Sequence, residues 1–216
     1  MTLHTVLLIF NFSITIPALL LIFRISSVKG CYWPFAIFIW AGLLNDVLSY
    51  LLILKNNNNM VNSNLFTLVE YTILLFQFAI WKGRQVWLYL FMGILGFAVW
   101  LVDNMIMNTL NDNNSVFRLF YSLVIVLFSM DIFNKLVVYA RAPLGKNSSF
   151  LICIGIILFF SSKAFLEAFN IFQVGLSDLF FIRLFLILSV INLLSNLLYA
   201  YAILCIPKKQ EFTLPY

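Results

Sequence analysis

Long apolar segments recur along this chain and constrain its fold more than any other feature. An α-helix needs roughly 20 residues to cross a hydrocarbon core about 30 Å thick. Segments of about this length lie at 5–23, 34–54, 65–82, 86–104, 116–138, 149–169 and 179–206. Only 10% of the residues are charged, against roughly 25% in soluble domains. The pattern predicts an all-α integral membrane protein, a seven-transmembrane-helix bundle formed by residues 1–216 as a single domain.

Two kinds of loop alternate between these segments. One kind is rich in asparagine and poor in basic residues, as in KNNNNMVNSN, and the other carries most of the lysine and arginine. The basic residues of the second kind are Arg24, Lys29, Lys82, Arg84, Lys135, Arg141, Lys146, Lys208 and Lys209. Because basic loops tend to stay in the cytoplasm, the alternation predicts an outer N-terminus and a cytoplasmic C-terminus.

The composition excludes several classes of function. The net charge is +5, but the basic residues are dispersed beside apolar segments and report topology, so we expect no nucleic-acid partner. His4 is the only histidine. A single histidine at the chain start excludes zinc hydrolases with several histidine ligands and argues against a Ser–His–Asp triad. We therefore expect no metal, no cofactor and no catalytic residue that the sequence identifies.

Charged residues within the apolar segments are the strongest functional signal. A charge at the centre of a spanning helix costs roughly 2.5–3.5 kcal/mol on insertion scales, so such residues face the bundle interior and find partners or water. Seven of them fall in the outer half of the predicted membrane: Asp46, Glu70, Asp103, Arg118, Lys163, Glu167 and Arg183. Arg118, Arg183 and Asp103 could reach the interface. Asp46, Glu70 and Lys163 are too deep for this.

Polar residues at helical spacing accompany the charges. Asp46 and Tyr50 share one face, and Lys163 and Glu167 are four residues apart and could pair with each other. The predicted ligand-binding residues are Asn45, Asp46, Tyr50, Glu70, Tyr71, Arg118, Lys163, Glu167, Arg183, Asn192 and Asn196. Two alternatives stay open. Asparagines of the last segment could simply join helices by hydrogen bonds, and the charges could form a closed ion-pair network.

Three classes of function fit this pattern. A pocket with charges of both signs suits a small polar or zwitterionic ligand, a lipid headgroup or a proton, in a sensor or a carrier. A sensor would need a cytoplasmic signalling partner, because the cytoplasmic loops and tail are short. The alternatives are an intramembrane lipid-modifying enzyme that uses the paired carboxylates of Asp46 and Glu70, and a non-catalytic membrane subunit or scaffold.

Three stretches carry a resemblance to a known family. PFAIFIWAGLLNDVLSYLLI, NLFTLVEYTILLFQFAIW and IPKKQEFTLP resemble a family of small bacterial seven-span inner-membrane proteins with no established activity. The resemblance covers the whole chain and rests on Asn45 beside an acid, Glu70, and PKKQEF at 207–212. It implies a multi-pass protein of the bacterial inner (cytoplasmic) membrane.

Overall fold

The structure, a computed structural model, describes residues 10, 12–28, 30–56, 58–83, 86–139, 143–172 and 178–207. Within these ranges the chain forms helices and no strand. The α-helices, numbered in chain order, are α1 Thr15–Arg24, α2 Trp33–Asn56, α3 Met60–Lys82, α4 Val86–Val102, α5 Ser115–Val138, α6 Ser148–Phe172 and α7 Asp178–Leu204. Short 3₁₀ turns lie at Phe12–Ile14, Ile25–Ser27, Gly30–Tyr32 and Leu144–Lys146.

Six of these helices, α2 to α7, are long and apolar enough to cross a membrane. The membrane-compatible stretches are Gly30–Lys55, Met60–Lys82, Val86–Met107, Ser115–Val138, Ser148–Phe172 and Ile182–Leu204. The apolar stretch Phe12–Arg24 is shorter, and residues 5–9 of the predicted first span lie outside the described residues. The all-helical fold is confirmed, and the six helices are those of a multi-pass membrane protein.

Two helix boundaries differ from the predicted ones. Helix α3 begins at Met60, five residues before the predicted segment at 65–82, because the Asn58 side chain accepts a hydrogen bond from the Met60 amide at 2.8 Å. Helix α4 continues as a π-helical turn over Asp103–Met107, where the Asn108 amide donates to the Asp103 carbonyl at 3.0 Å. A side-chain acceptor in the loop thus lengthens α3, and a backbone hydrogen bond extends α4 past its predicted end at 104.

Helices that follow one another in the chain run antiparallel, so the bundle has two distinct ends. Helix α1 packs on α7, α2 on α3, α5 on α6, and α6 on α7. At one end, here called the basic end, the Arg24 guanidinium donates to the carbonyls of Leu204 at 2.6 Å and Ile206 at 3.2 Å. These bonds satisfy carbonyls left unpaired at the end of α7. The opposite end, here called the asparagine end, holds the loops around 58–59 and 108–114.

Two glycines let aromatic rings pack closely in the interior. A Cβ atom on Gly96 of α4 would overlap the ring of Tyr71, and one on Gly155 of α6 would overlap the ring of Tyr199. Both tyrosines are almost fully buried. Because the helices approach closely at these points, the side chains between them are held in fixed positions.

Candidate functional site

Glu70 of α3 is the most connected of the predicted site residues. Its side chain is buried, with 5% of the residue exposed. One carboxylate oxygen, Oε2, accepts hydrogen bonds from the Tyr121 hydroxyl at 2.7 Å and from Lys163 Nζ at 3.2 Å. The lysine Nζ also lies 5.0 Å from the centre of the Tyr121 ring, within cation–π range. Lys163 thus pairs with Glu70 of another helix and not with Glu167, the partner that its spacing allowed.

A second ion pair joins α5 to α6. Arg118 NH1 lies 3.8 Å from Glu167 Oε1, and both side chains are largely buried. The other terminal nitrogen of Arg118 donates to Ser63 Oγ and to Asn64 Oδ1, each at 2.9 Å. Arg118 is therefore bound inside the bundle. It joins three helices within the bundle, which a planar guanidinium with several donors can do.

Asn64 is a member of this network that the sequence analysis did not include. Its side-chain nitrogen donates to the carbonyls of Leu110 and Asp112, each at 2.9 Å, and its own carbonyl accepts from the Trp100 indole at 2.9 Å. The residue is buried. Asn64 thus fastens the loop at 108–114 to the first turn of α3, next to Arg118. Its position after Ser63 in an asparagine-rich loop gave no signal of this role.

Asp103 lies beside the start of α5. It is fully buried, and its Oδ2 accepts a hydrogen bond from the Phe117 amide at 2.8 Å, while Oδ1 accepts one from the Asn108 side chain at 2.8 Å. The Phe117 amide belongs to the first turn of α5, where amides lack helical partners. Asp103 therefore caps α5, where the helix dipole stabilises its charge.

Asp46 of α2 differs from the other acids. It is half-buried, and within the described residues it forms no ion pair with a lysine or arginine. Its charge lies within electrostatic reach of Glu70. The adjacent Asn45 accepts a hydrogen bond from the Asn62 side chain at 2.9 Å, and Asn62 also donates to Ser49 at 3.0 Å. Together with the two ion pairs, Asp46 gives three acids, Asp46, Glu70 and Glu167. Among the described residues, the only cations paired with them are Lys163 and Arg118.

Three predicted site residues lie away from these ion pairs. Tyr71 donates its hydroxyl to the Met92 carbonyl of α4 at 2.6 Å, so its polar atom faces away from Glu70. Tyr50 is exposed and packs its ring edge-to-face on Phe12 at 6.1 Å between ring centres. Arg183 is exposed and forms no ion pair with any part of the chain that the structure describes.

Asn192 and Asn196 join α7 to the segment that precedes α1. Asn196 donates to the Ser13 hydroxyl at 2.7 Å and to Asn192 Oδ1 at 3.3 Å, and Asn192 donates to the Phe10 carbonyl at 3.4 Å. Such interhelical hydrogen bonds hold membrane helices together. These contacts match the alternative in which asparagines of the last segment join helices by hydrogen bonds.

Two cavities lie at the surface of the bundle. One, of about 230 Å³, is an apolar groove between α1 and α2, lined by Leu21, Ile25, Val28, Trp33, Ala36, Ile37, Trp40, Ala41 and Leu44. The other, of about 240 Å³, lies at the asparagine end and is lined by Leu52, Asn58, Asn59, Met60, Val61, Asn62 and Asn111. Neither is lined by Asp46 or Glu70. The second cavity is lined by Asn62, which contacts Asn45, the residue before Asp46 in the chain.

The residues that the structure describes contain no cluster of three histidine, cysteine or acidic side chains that could hold a metal ion. Comparison of the chain with protein-family models, with curated proteins and with solved structures gave no match.

Proposed function

We propose that this protein is a seven-span protein of the bacterial inner membrane that senses or transports a small polar ligand, with Asp46 as the principal binding group. The observation that carries the proposal is the surplus acid: Asp46 has no cation partner among the described residues, while Glu70 and Glu167 each have one. An isolated carboxylate in a spanning helix is costly. A ligand that supplies positive charge, such as an amine, a zwitterion, another organic cation or a proton, would offset this cost.

A route to Asp46 is available from the asparagine end. The cavity there is lined by Asn62, whose side chain binds Asn45 and Ser49 on the face of α2 that carries Asp46. Amide side chains both donate and accept hydrogen bonds, so they can hold a polar ligand or water at this position. In the proposed topology this end faces outward, so a ligand would arrive from outside the cell.

The proposed topology has seven spans, the first being the predicted segment at 5–23, with the N-terminus outside. The basic end, with Arg24, Lys82 and Lys135, then faces the cytoplasm. Cysteine labelling tests this directly in a variant without the three native cysteines. A thiol reagent that cannot cross membranes should label a cysteine placed at Asn111 in intact cells and one placed at Leu144 only after lysis. The reverse pattern would invert the proposal.

Ligand-dependent stabilisation tests the role of Asp46. A ligand that binds only the folded protein raises its melting temperature by mass action. The purified protein should be melted across a panel of monovalent cations, amines, amino acids and pH values. We expect at least one condition to raise the melting temperature of the native protein and to have no such effect on Asp46→Asn. Asp112→Asn, an exposed loop change, is the control and should respond as the native protein does.

Either of two results would overturn this role. In one, Asp46→Asn keeps the full response of the native protein to every effective condition. In the other, neither the native protein nor Asp112→Asn responds to any member of the panel, at any pH. Asp46→Leu makes α2 more apolar and should still insert in the membrane, so loss of insertion does not explain loss of the response.

A second candidate function is that of a non-catalytic membrane subunit or scaffold. The observation in its favour is that Glu70 and Glu167 already have cation partners inside the bundle, as a closed network requires. The same contacts argue against the lipid-modifying enzyme, because Tyr121 and Lys163 occupy the Glu70 oxygen that a substrate would have to reach. A scaffold predicts co-purification with a partner that Asp46→Asn does not release.

A further inference from the structure

Several buried polar atoms between Glu70 and the basic end lack a hydrogen-bond partner from the described residues. They include the Tyr199 hydroxyl, the Ser195 hydroxyl and the Trp81 indole nitrogen. All three residues are at least nine-tenths buried. A buried polar group without a partner is costly, and in folded proteins such groups are satisfied by ordered water. Water inside the basic half of the bundle would supply the partners that these groups lack.

Tyr199 lies among the aromatic rings of this region. Its ring packs edge-to-face on Phe35 at 5.4 Å and on Phe38 at 6.0 Å between ring centres, and it crosses Gly155 of α6 without a side chain between them. Side chains on a helix lean toward its N-terminus, so the Tyr199 hydroxyl points from the basic half toward mid-bundle. The phenol lies within electrostatic reach of Glu70. Ser195, one turn earlier on α7, lies on the same face.

Polar groups continue from this level to the basic end. Gln77 lies two turns from Glu70 on the same face of α3 and is fully buried, where it donates to the Cys31 carbonyl at 2.6 Å and accepts from the Phe35 amide at 2.8 Å. Near the start of α6, the Tyr32 and Ser149 hydroxyls are 3.1 Å apart. Donors and acceptors therefore follow one another from the acids to the end that holds Lys82 and Arg24.

We propose that the species bound by the acidic group is a proton, and that Tyr199 and Ser195, with interior water, connect this group to the basic end. The inference rests on the proposed function and names its ligand. Asp46 would take the proton from the asparagine end, with Glu70 as the deeper acid. The hydroxyl oxygen of Tyr199 then accepts a proton from one water and releases its own to the next, so no bond other than O–H changes. The charged and titratable groups that face this route are Lys163, Arg118, Glu167, Tyr121 and Cys153.

Proton flux into vesicles tests this route. The protein is reconstituted in liposomes that contain a pH-sensitive dye, a pH step is applied with a potassium–valinomycin clamp, and the rate of internal pH change is recorded. Tyr199→Phe keeps the ring and removes only the hydroxyl, so the fold should be retained. We expect its flux to fall about 100-fold, the lower range for loss of a positioned proton-transfer group. Tyr201→Phe, an exposed tyrosine of the same helix, is the control and should match the native protein.

The possible outcomes separate this inference from the proposed function. Native protein that leaks protons no faster than empty liposomes overturns the proton inference, as does Tyr199→Phe with native flux. If such protein still shows ligand-dependent stabilisation that Asp46→Asn removes, the proposed function stands and the ligand is not a transported proton. If Asp46→Asn conducts as the native protein does, while Tyr199→Phe does not, the route exists and Asp46 is not its acid, which also overturns the inference as stated.

Discussion

The bundle holds two groups of charges that differ in their surroundings. The inner ion pairs, Glu70–Lys163 and Arg118–Glu167, lie between helices with side chains that are at most 17% exposed. The edge group at the basic end joins Lys82 and Lys135 to Asp131 at 2.9 and 3.3 Å, with 41% of the Asp131 side chain exposed.

Similar distances therefore have different consequences in the two groups. Water and salt screen the edge group, so each of its pairs contributes little. The inner ion pairs have lost their hydration, and each charge depends on its partner. The burial of a charge in the bundle, more than its pairing distance, therefore decides how much a substitution changes the stability.

The largest effect is expected from removing one partner of an inner ion pair. Lys163→Met leaves Glu70 buried with Tyr121 as its remaining partner. We expect the free energy of unfolding to fall by about 3–5 kcal/mol, the usual effect of an uncompensated buried charge. An SDS titration in mixed micelles measures it. The double variant Glu70→Gln with Lys163→Met should recover most of the loss, and a single variant as stable as the native protein would contradict the comparison.

A charge-conserving change should separate geometry from charge. Arg118→Lys keeps the charge, but one ammonium cannot reproduce the planar contacts to Ser63, Asn64 and Glu167. We expect a loss of about 1.5–3 kcal/mol, as for one or two hydrogen bonds of a charged group. The matched control in the edge group is Lys135→Arg, which should be neutral in the same unfolding assay. Equal effects at both sites would show that the inner ion pairs do not require this geometry.

The smallest effect is expected at the edge group itself. Asp131→Asn removes the charged acceptor of both lysines. The site is exposed to solvent, however, so the loss should be small. We expect a change below about 1 kcal/mol, and a smaller one at high salt, because exposed ion pairs are screened. Unfolding at low and at high ionic strength measures both quantities. A loss as large as that of Lys163→Met would remove the distinction between the two groups.

The helices could be predicted from the sequence because apolar length alone specifies them. Helices α4 and α5 begin within one residue of their predicted starts at 86 and 116. The spacing of Asp131 and Lys135 likewise predicts their pair, since residues four apart on a helix are neighbours. Both predictions depend on local spacing, which the sequence contains.

The partners within the site could not be predicted in the same way. Spacing along α6 favoured Lys163 with Glu167, but the rotation and packing of α3 and α5 give each a partner on another helix. The cap that Asp103 provides for α5 was not predicted either, because it forms only when the loop at 108–114 turns α5 back onto Asp103. Contacts of this kind depend on how distant segments meet, and a single sequence does not specify that.

The central claim is that Asp46 binds something other than this protein's own cations. A structure in lipid nanodiscs at a resolution that shows ordered water tests it most directly. We expect density for water, an ion or a small molecule within hydrogen-bond distance of the Asp46 carboxylate. This density should continue into the cavity lined by Asn62. A carboxylate of Asp46 that is enclosed by protein groups alone, in dry contact with a lysine or arginine, would contradict it.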